Sequence, residues 1–178
     1  MRELSIKIMN AIFEDNGLDK SMYSVYQYGI QMALEIGCSF VTSVLICYIY
    51  RMLVEGFVFF LIFIPIRSYL GGYHMKHYWA CFLCSCFTLI MILTLVKYIC
   101  PNIICIWGII SISLVIILRA AYKQREVDDD GRYYYPKICF IILGVLVFAL
   151  LLTIFNNISL VFLIACTCLL VAVSKILE

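Results

Sequence analysis

The chain has 178 residues and two histidines, His74 and His77, and both lie in the segment Arg67-Ser-Tyr-Leu-Gly-Gly-Tyr-His-Met-Lys-His-Tyr-Trp-Ala-Cys-Phe-Leu-Cys-Ser-Cys86 with three of the ten cysteines. Such a set offers a thiolate nucleophile whose proton an imidazole takes. It equally offers metal ligation through His74-x2-His77-x3-Cys81-x2-Cys84, or a dithiol couple at Cys81 and Cys84. Against a structural zinc site, no second ligand pair is present and the thiols lie in the first turns of an apolar run. A third reading leaves the histidines as an interfacial pair within an aromatic belt of Tyr73, Tyr78 and Trp79, above inert thiols.

In an unbroken helix His74 and Cys81 share a face but stand about 10.5 Å apart along the axis, beyond hydrogen-bond reach. Gly71 and Gly72 permit a sharp bend, which folds the segment around His74 back over the following helical turns. Depth separates the thiols. If an apolar span begins near Tyr78, Cys81 lies about 4.5 Å in, and Cys84 and Cys86 about 9 and 12 Å in. Apolar burial disfavours a thiolate and a neighbouring imidazolium favours it, so Cys81 is the best-placed nucleophile.

The elements that hold this segment follow from composition. The chain is 65% hydrophobic and 13% charged, against about 45 to 50% and about 25% in soluble domains. That excludes a water-soluble globule and a disordered chain. The expected fold is all-α and polytopic, a single membrane-embedded domain over 1–178. About 20 residues cross the hydrocarbon as a helix, and the apolar runs give six spans, near 29–50, 52–66, 78–98, 102–118, 138–155 and 158–174. The second is the weakest, tilted or re-entrant, because Glu55 precedes a short run. The last two form a helical hairpin turning at Asn156-Asn157. Cys38, Cys47, Cys105, Cys139, Cys166 and Cys168 fall inside the runs and read as small buried hydrophobes.

Leu4, Ile8, Met9, Ile12 and Phe13 recur at helical spacing among Glu3, Lys7 and Glu14, which predicts an amphipathic helix on the membrane surface within an interfacial region of 1–28. The same residues lack the features of a cleavable signal peptide. With six crossings, every Lys and Arg except Arg51 and Lys97 falls on one side. Basic residues mark the cytoplasmic side, so both termini, the 67–86 segment and a 119–137 loop are expected there. The net charge of +2 and the absence of a dense basic run argue against a nucleic-acid partner.

With Arg67-x4-Gly72-x-His74-x6-Cys81, the chain length and the six apolar runs, the sequence resembles the accessory gene regulator B (AgrB) family of bacterial membrane endopeptidases. The resemblance implies a cysteine endopeptidase in the bacterial cell membrane, without cofactor or metal, with His74 and Cys81 as the catalytic pair and Arg67, Gly71 and Gly72 in support. Its substrate would be an AgrD-type precursor of an autoinducing quorum-sensing peptide, cleaved through a thioester that a ring closure can consume. Membrane lipids and a second copy of the chain are the other partners implied. Gln31 and Glu35, near one end of the first span, could orient the histidine, although packing is the commoner role of such groups. His77 and Cys84 repeat the spacing of seven without the preceding glycine. In the 119–137 segment the family's Pro-containing basic stretch is replaced by one with Asp128 to Asp130 in its middle. The competing class is a non-proteolytic membrane protein, either a dithiol oxidoreductase or a metal-binding carrier using His77, Cys81 and Cys84.

Overall fold

The computed structural model describes residue 6 and residues 23–70, 78–99, 101–127 and 129–177. The described residues form helices and their connections, with no strand among them: α1 (Tyr23–Tyr50), α2 (Leu53–Leu70), α3 (Tyr78–Tyr98), α4 (Ile103–Val127), α5 (Asp129–Ile154) and α6 (Ile158–Ile176). Helix is dictated by solvent, since hydrocarbon offers no partner to a backbone N–H or C=O and a spanning segment must satisfy its own. All six helices are long and apolar enough to cross a membrane. The chain is an all-α, multi-pass membrane protein. The surface helix expected over residues 1–20 lies, apart from Ile6, outside the described residues.

The second span is continuous. α2 runs 18 residues from Leu53 to Leu70, roughly 27 Å at 1.5 Å per residue, which is a full crossing rather than a re-entrant loop. Glu55 stands in its first turn, where a carboxylate complements the positive end of the helix dipole. The 119–137 stretch also differs from expectation, because α4 continues to Val127 and α5 begins at Asp129. Among its described residues, the connection between the fourth and fifth spans is built from helix extensions.

Contacts divide the chain into two compact units, Met1–Ile46 and Cys47–Glu178. In the first, α1 carries a polar ladder one turn apart. Gln31 Nε2 donates to Glu35 Oε1 at 2.9 Å, Ser39 Oγ to the Glu35 carbonyl at 2.9 Å, and Ser43 Oγ to the Ser39 carbonyl at 2.8 Å. These bonds keep polar groups satisfied within a span, where an unpaired one is costly.

In the second unit α6 is the central helix and packs against α2, α3, α4 and α5. Val161, Leu163, Ile164, Ala165, Thr167, Cys168 and Ala172 are wholly covered, and Thr167 returns its hydroxyl proton to the Leu163 carbonyl at 2.8 Å. Ala165, Cys168 and Ala172 are small, which lets neighbouring helices approach closely in a membrane. Of the six cysteines expected to be buried, Cys47 and Cys168 are, Cys38, Cys139 and Cys166 are half-buried, and Cys105 is exposed on the helix surface. An apolar thiol on a membrane helix is as well solvated by lipid as by protein, so hydropathy does not separate the two.

The turns carry identifiable caps. Asn156 takes φ 57°, the Asn156 N–H bonds the Thr153 carbonyl at 3.0 Å and the Asn157 N–H that of Leu152 at 2.9 Å. This is a Schellman closure with asparagine in the left-handed position, and it makes the expected α5–α6 hairpin. Arg51 closes α1 in the same way at φ 56°. The chain then doubles back so tightly that a Cβ on Gly56 would meet the Cys47 side chain. Gly56→Ala is therefore expected to destabilise the protein by about 1 to 3 kcal/mol. Adding Cys47→Ala should restore most of the loss, as read by thermal unfolding in detergent.

Candidate functional site

The second unit has two ends, and the candidate site residues lie at one of them. At one end of this bundle, Tyr50 Oη and Thr94 Oγ1 share a hydrogen bond of 3.1 Å, and Lys97 Nζ stands 5.6 Å from the Tyr50 ring centroid. This brings Arg51, next in chain to Tyr50, to the same end as Lys97. At the other end, where α2 finishes and α3 begins, lie Arg67 and Cys81. There the rings of Tyr69 and Tyr134 lie 5.5 Å apart, and Arg125 stands 5.1 Å over Tyr135. Among the described residues, the bundle thus sets Arg51 and Lys97 at one end and Arg67, Arg125 and Lys137 at the other.

Cys81 is the fourth residue of α3, which starts at Tyr78. It is half-buried and not in a disulfide, and its carbonyl accepts the Ser85 hydroxyl at 2.9 Å. A helical Cβ tilts toward the N-terminus, so the sulfur leans toward the end of the bundle and not toward its middle. Cys84 lies one turn deeper and is exposed on the helix surface, while Cys86 is half-buried. Trp79 is exposed and meets Phe82 edge-on at 6.2 Å, an aromatic pair at the level where membrane helices place such rings.

The other half of the candidate site hangs from α2. Ile66 and Leu70 are fully buried, so the last turn of α2 is anchored in the core, and it presents Arg67 between them. The Arg67 guanidinium lies 5.4 Å from the Phe63 ring centroid, one turn earlier. Gly71, Gly72, His74 and His77 lie outside the described residues. Gln31 and Glu35 pair with each other on α1 in the first unit.

The residues that sequence reasoning missed are aromatic and cationic. Tyr69 and Tyr134 join α2 to α5, Tyr122 and Tyr135 join α4 to α5 at 6.3 Å, and Tyr133 meets Tyr134 at 5.4 Å. Lys137 Nζ stands 4.0, 5.6 and 5.8 Å from the ring centroids of Tyr133, Tyr134 and Tyr69. A shallow groove of ≈ 370 Å³ opens beside them, lined by Tyr69, Pro136, Lys137, Phe140 and Ile141. The signal was present as the run Tyr133-Tyr134-Tyr135-Pro136-Lys137 just before an apolar span. Read as part of a solvated loop, it had no partner.

No curated protein and no solved structure matches the chain. A family model does: that of Accessory gene regulator B, over residues 5–175, nearly the whole chain, which reaches into all six helices. The chain therefore belongs to the accessory gene regulator B family, and with it to the membrane proteins that process the precursor peptide of agr quorum sensing.

Proposed function

We propose that this protein is a cysteine endopeptidase that removes the C-terminal tail of an AgrD-type precursor, with Cys81 as nucleophile and His74 as its base. The placement of Cys81 on α3 at the bundle end where Arg67 also lies, within a chain of this family, supports this reading. His74 takes the thiol proton and the thiolate attacks the carbonyl at the cleavage point. The tetrahedral intermediate collapses to a thioester on Cys81, and the tail leaves as an amine that receives the proton from the imidazolium. A thiol or hydroxyl upstream in the precursor can then attack the thioester, closing a thiolactone or lactone and returning Cys81 as a thiol. The thioester keeps the acyl-transfer potential that hydrolysis would dissipate, and exclusion of water at a membrane-edge site favours the ring.

Arg67 serves the substrate's carboxylates or a lipid phosphate, and backbone amides near Gly71 and Gly72 supply an oxyanion hole. No cofactor or metal enters this sequence of steps. The basic residues gathered at the Cys81 end support a cytoplasmic location for that end, where a newly made precursor meets the inner leaflet. A single domain over 1–178, working as a homodimer among membrane lipids, completes the reading.

The decisive experiment is co-expression with a tagged precursor and a gel readout of cleavage. Wild type is expected to release the tail, and His74→Ala and Cys81→Ala to leave the precursor intact. A membrane-impermeant maleimide should label Cys81 in inside-out vesicles and not in intact cells. Labelling from outside the cell, or cleavage by either variant, would refute the assignment.

A further inference from the structure

Lys137 is a charge inside a membrane span. The fifth crossing runs Tyr133–Ile154, so Lys137 stands about 6 Å past its first residue at 1.5 Å per residue. At that depth a cation must pair, face water or reach the interface along its own stem. Its ammonium lies among rings, 4.0 Å from the Tyr133 centroid, 5.6 Å from that of Tyr134 and 5.8 Å from that of Tyr69, and no carboxylate is among these neighbours. Ring quadrupoles attract the charge without neutralising it.

The side chain also opens on a groove. Lys137 lines the ≈ 370 Å³ groove with Tyr69, Pro136, Phe140 and Ile141. Lys137, Phe140 and Ile141 stand at i, i+3 and i+4 and so share one face of α5, with the two apolar residues about 4.5 and 6 Å deeper in the span. Phe140 is 78% exposed, and on a membrane helix that exposure is to hydrocarbon. Tyr69 joins the lining from α2, held beside α5 by its 5.5 Å ring contact with Tyr134. Within one helical turn the groove passes from a cation to an apolar wall facing lipid.

An occupant therefore needs an anion at the level of Lys137 and hydrocarbon at the level of Phe140. Free phosphate or an acidic peptide tail supplies only the first, whereas a phospholipid supplies both. The lysine already occupies the tyrosine faces that would otherwise receive a choline or ethanolamine ammonium, and Arg67 and Arg125 lie at the same end of the bundle. A headgroup without a cation is the better match. We propose that this groove is a binding site for an anionic phospholipid, with the phosphate on Lys137 and the upper part of an acyl chain along Phe140 and Ile141. The site is independent of the peptidase reading.

The test places the full-length protein in nanodiscs of phosphatidylglycerol and phosphatidylcholine in equal parts, and reads by native mass spectrometry the lipid still bound after release into detergent. Wild type is expected to retain phosphatidylglycerol in preference to phosphatidylcholine. Lys137→Met, which keeps the stem and removes the charge, should lower that preference by about five- to tenfold, the effect of one charge-assisted contact to phosphate. Lys137→Arg should keep it, and so should Lys97→Met, which removes a cation at the opposite end of the bundle. Phosphatidylglycerol carrying a diazirine in its acyl chain should crosslink wild type at or beside Phe140 and Ile141.

Equal retention of the two lipids by wild type overturns the proposal, as does an undiminished preference in Lys137→Met. Equal loss in Lys97→Met overturns it too, because the preference would then be a general attraction of cations to an anionic surface. Displacement of phosphatidylglycerol by millimolar inorganic phosphate would make the groove a free-anion site, and displacement by a precursor peptide would make it a substrate site; either result refutes lipid as the occupant. If Lys137→Met does not fold, the crosslink on wild type decides, and labelling confined to other helices sinks the assignment.

Discussion

Replacing Cys81 with alanine is expected to remove precursor cleavage, a loss on the order of 10⁴-fold or more, as when the attacking atom of a covalent mechanism is deleted. Cys84→Ala is the informative companion. Cys84 is the next thiol along α3, three residues further in and exposed on the helix surface. A dithiol couple needs both sulfurs and would fail equally in either variant, whereas a single nucleophile leaves Cys84→Ala with most of its activity. Cys86→Ala, half-buried one turn past the site, should behave as Cys84→Ala does. Initial rates of tail release for the three variants, normalised to protein in the membrane, make the comparison. Equal loss from Cys81→Ala and Cys84→Ala would move the protein to the oxidoreductase or metal-carrier class.

The largest effect on folding is expected at Ala165. It has no exposed surface and sits on α6, the helix that packs against four others, between Ile164 and Cys166 and one turn from Leu169. A phenyl group there has nowhere to go without separating helices whose close approach depends on the small side chain. Ala165→Phe should cost about 3 kcal/mol, at the upper end for overpacking a tight interior. Leu169→Phe is the control, because Leu169 is 41% exposed and a larger ring there extends into lipid. Unfolding in mixed micelles, followed by circular dichroism against denaturant, should show a loss for the first and little change for the second. Equal behaviour would mean that α6 is not the centre of the bundle.

The number, order and approximate limits of the membrane helices were legible in the sequence, because hydrocarbon thickness and backbone satisfaction leave an apolar run of that length one conformation to adopt. The Asn156-Asn157 turn was legible for a similar reason, since asparagine tolerates the left-handed backbone that closes a helix. The start of the third span near Tyr78 was read from the same hydropathy, and α3 is described from Tyr78. The second span read as doubtful only because Glu55 interrupts the hydropathy, and in the structure that carboxylate complements a helix start.

Tertiary structure alone decided which faces meet. Hydropathy scores a lipid-facing cysteine and a core cysteine alike, so only packing separates Cys105 from Cys168. It could not show that α6 is central, because both protein and lipid are apolar surroundings and the choice rests on shape. Nor could it show that Tyr69 meets Tyr134, which stand far apart in the chain and carry no local pattern linking them. Local physics writes the helices into the sequence. The partners of their ends come from long-range packing, as the meeting of Tyr69 and Tyr134 shows.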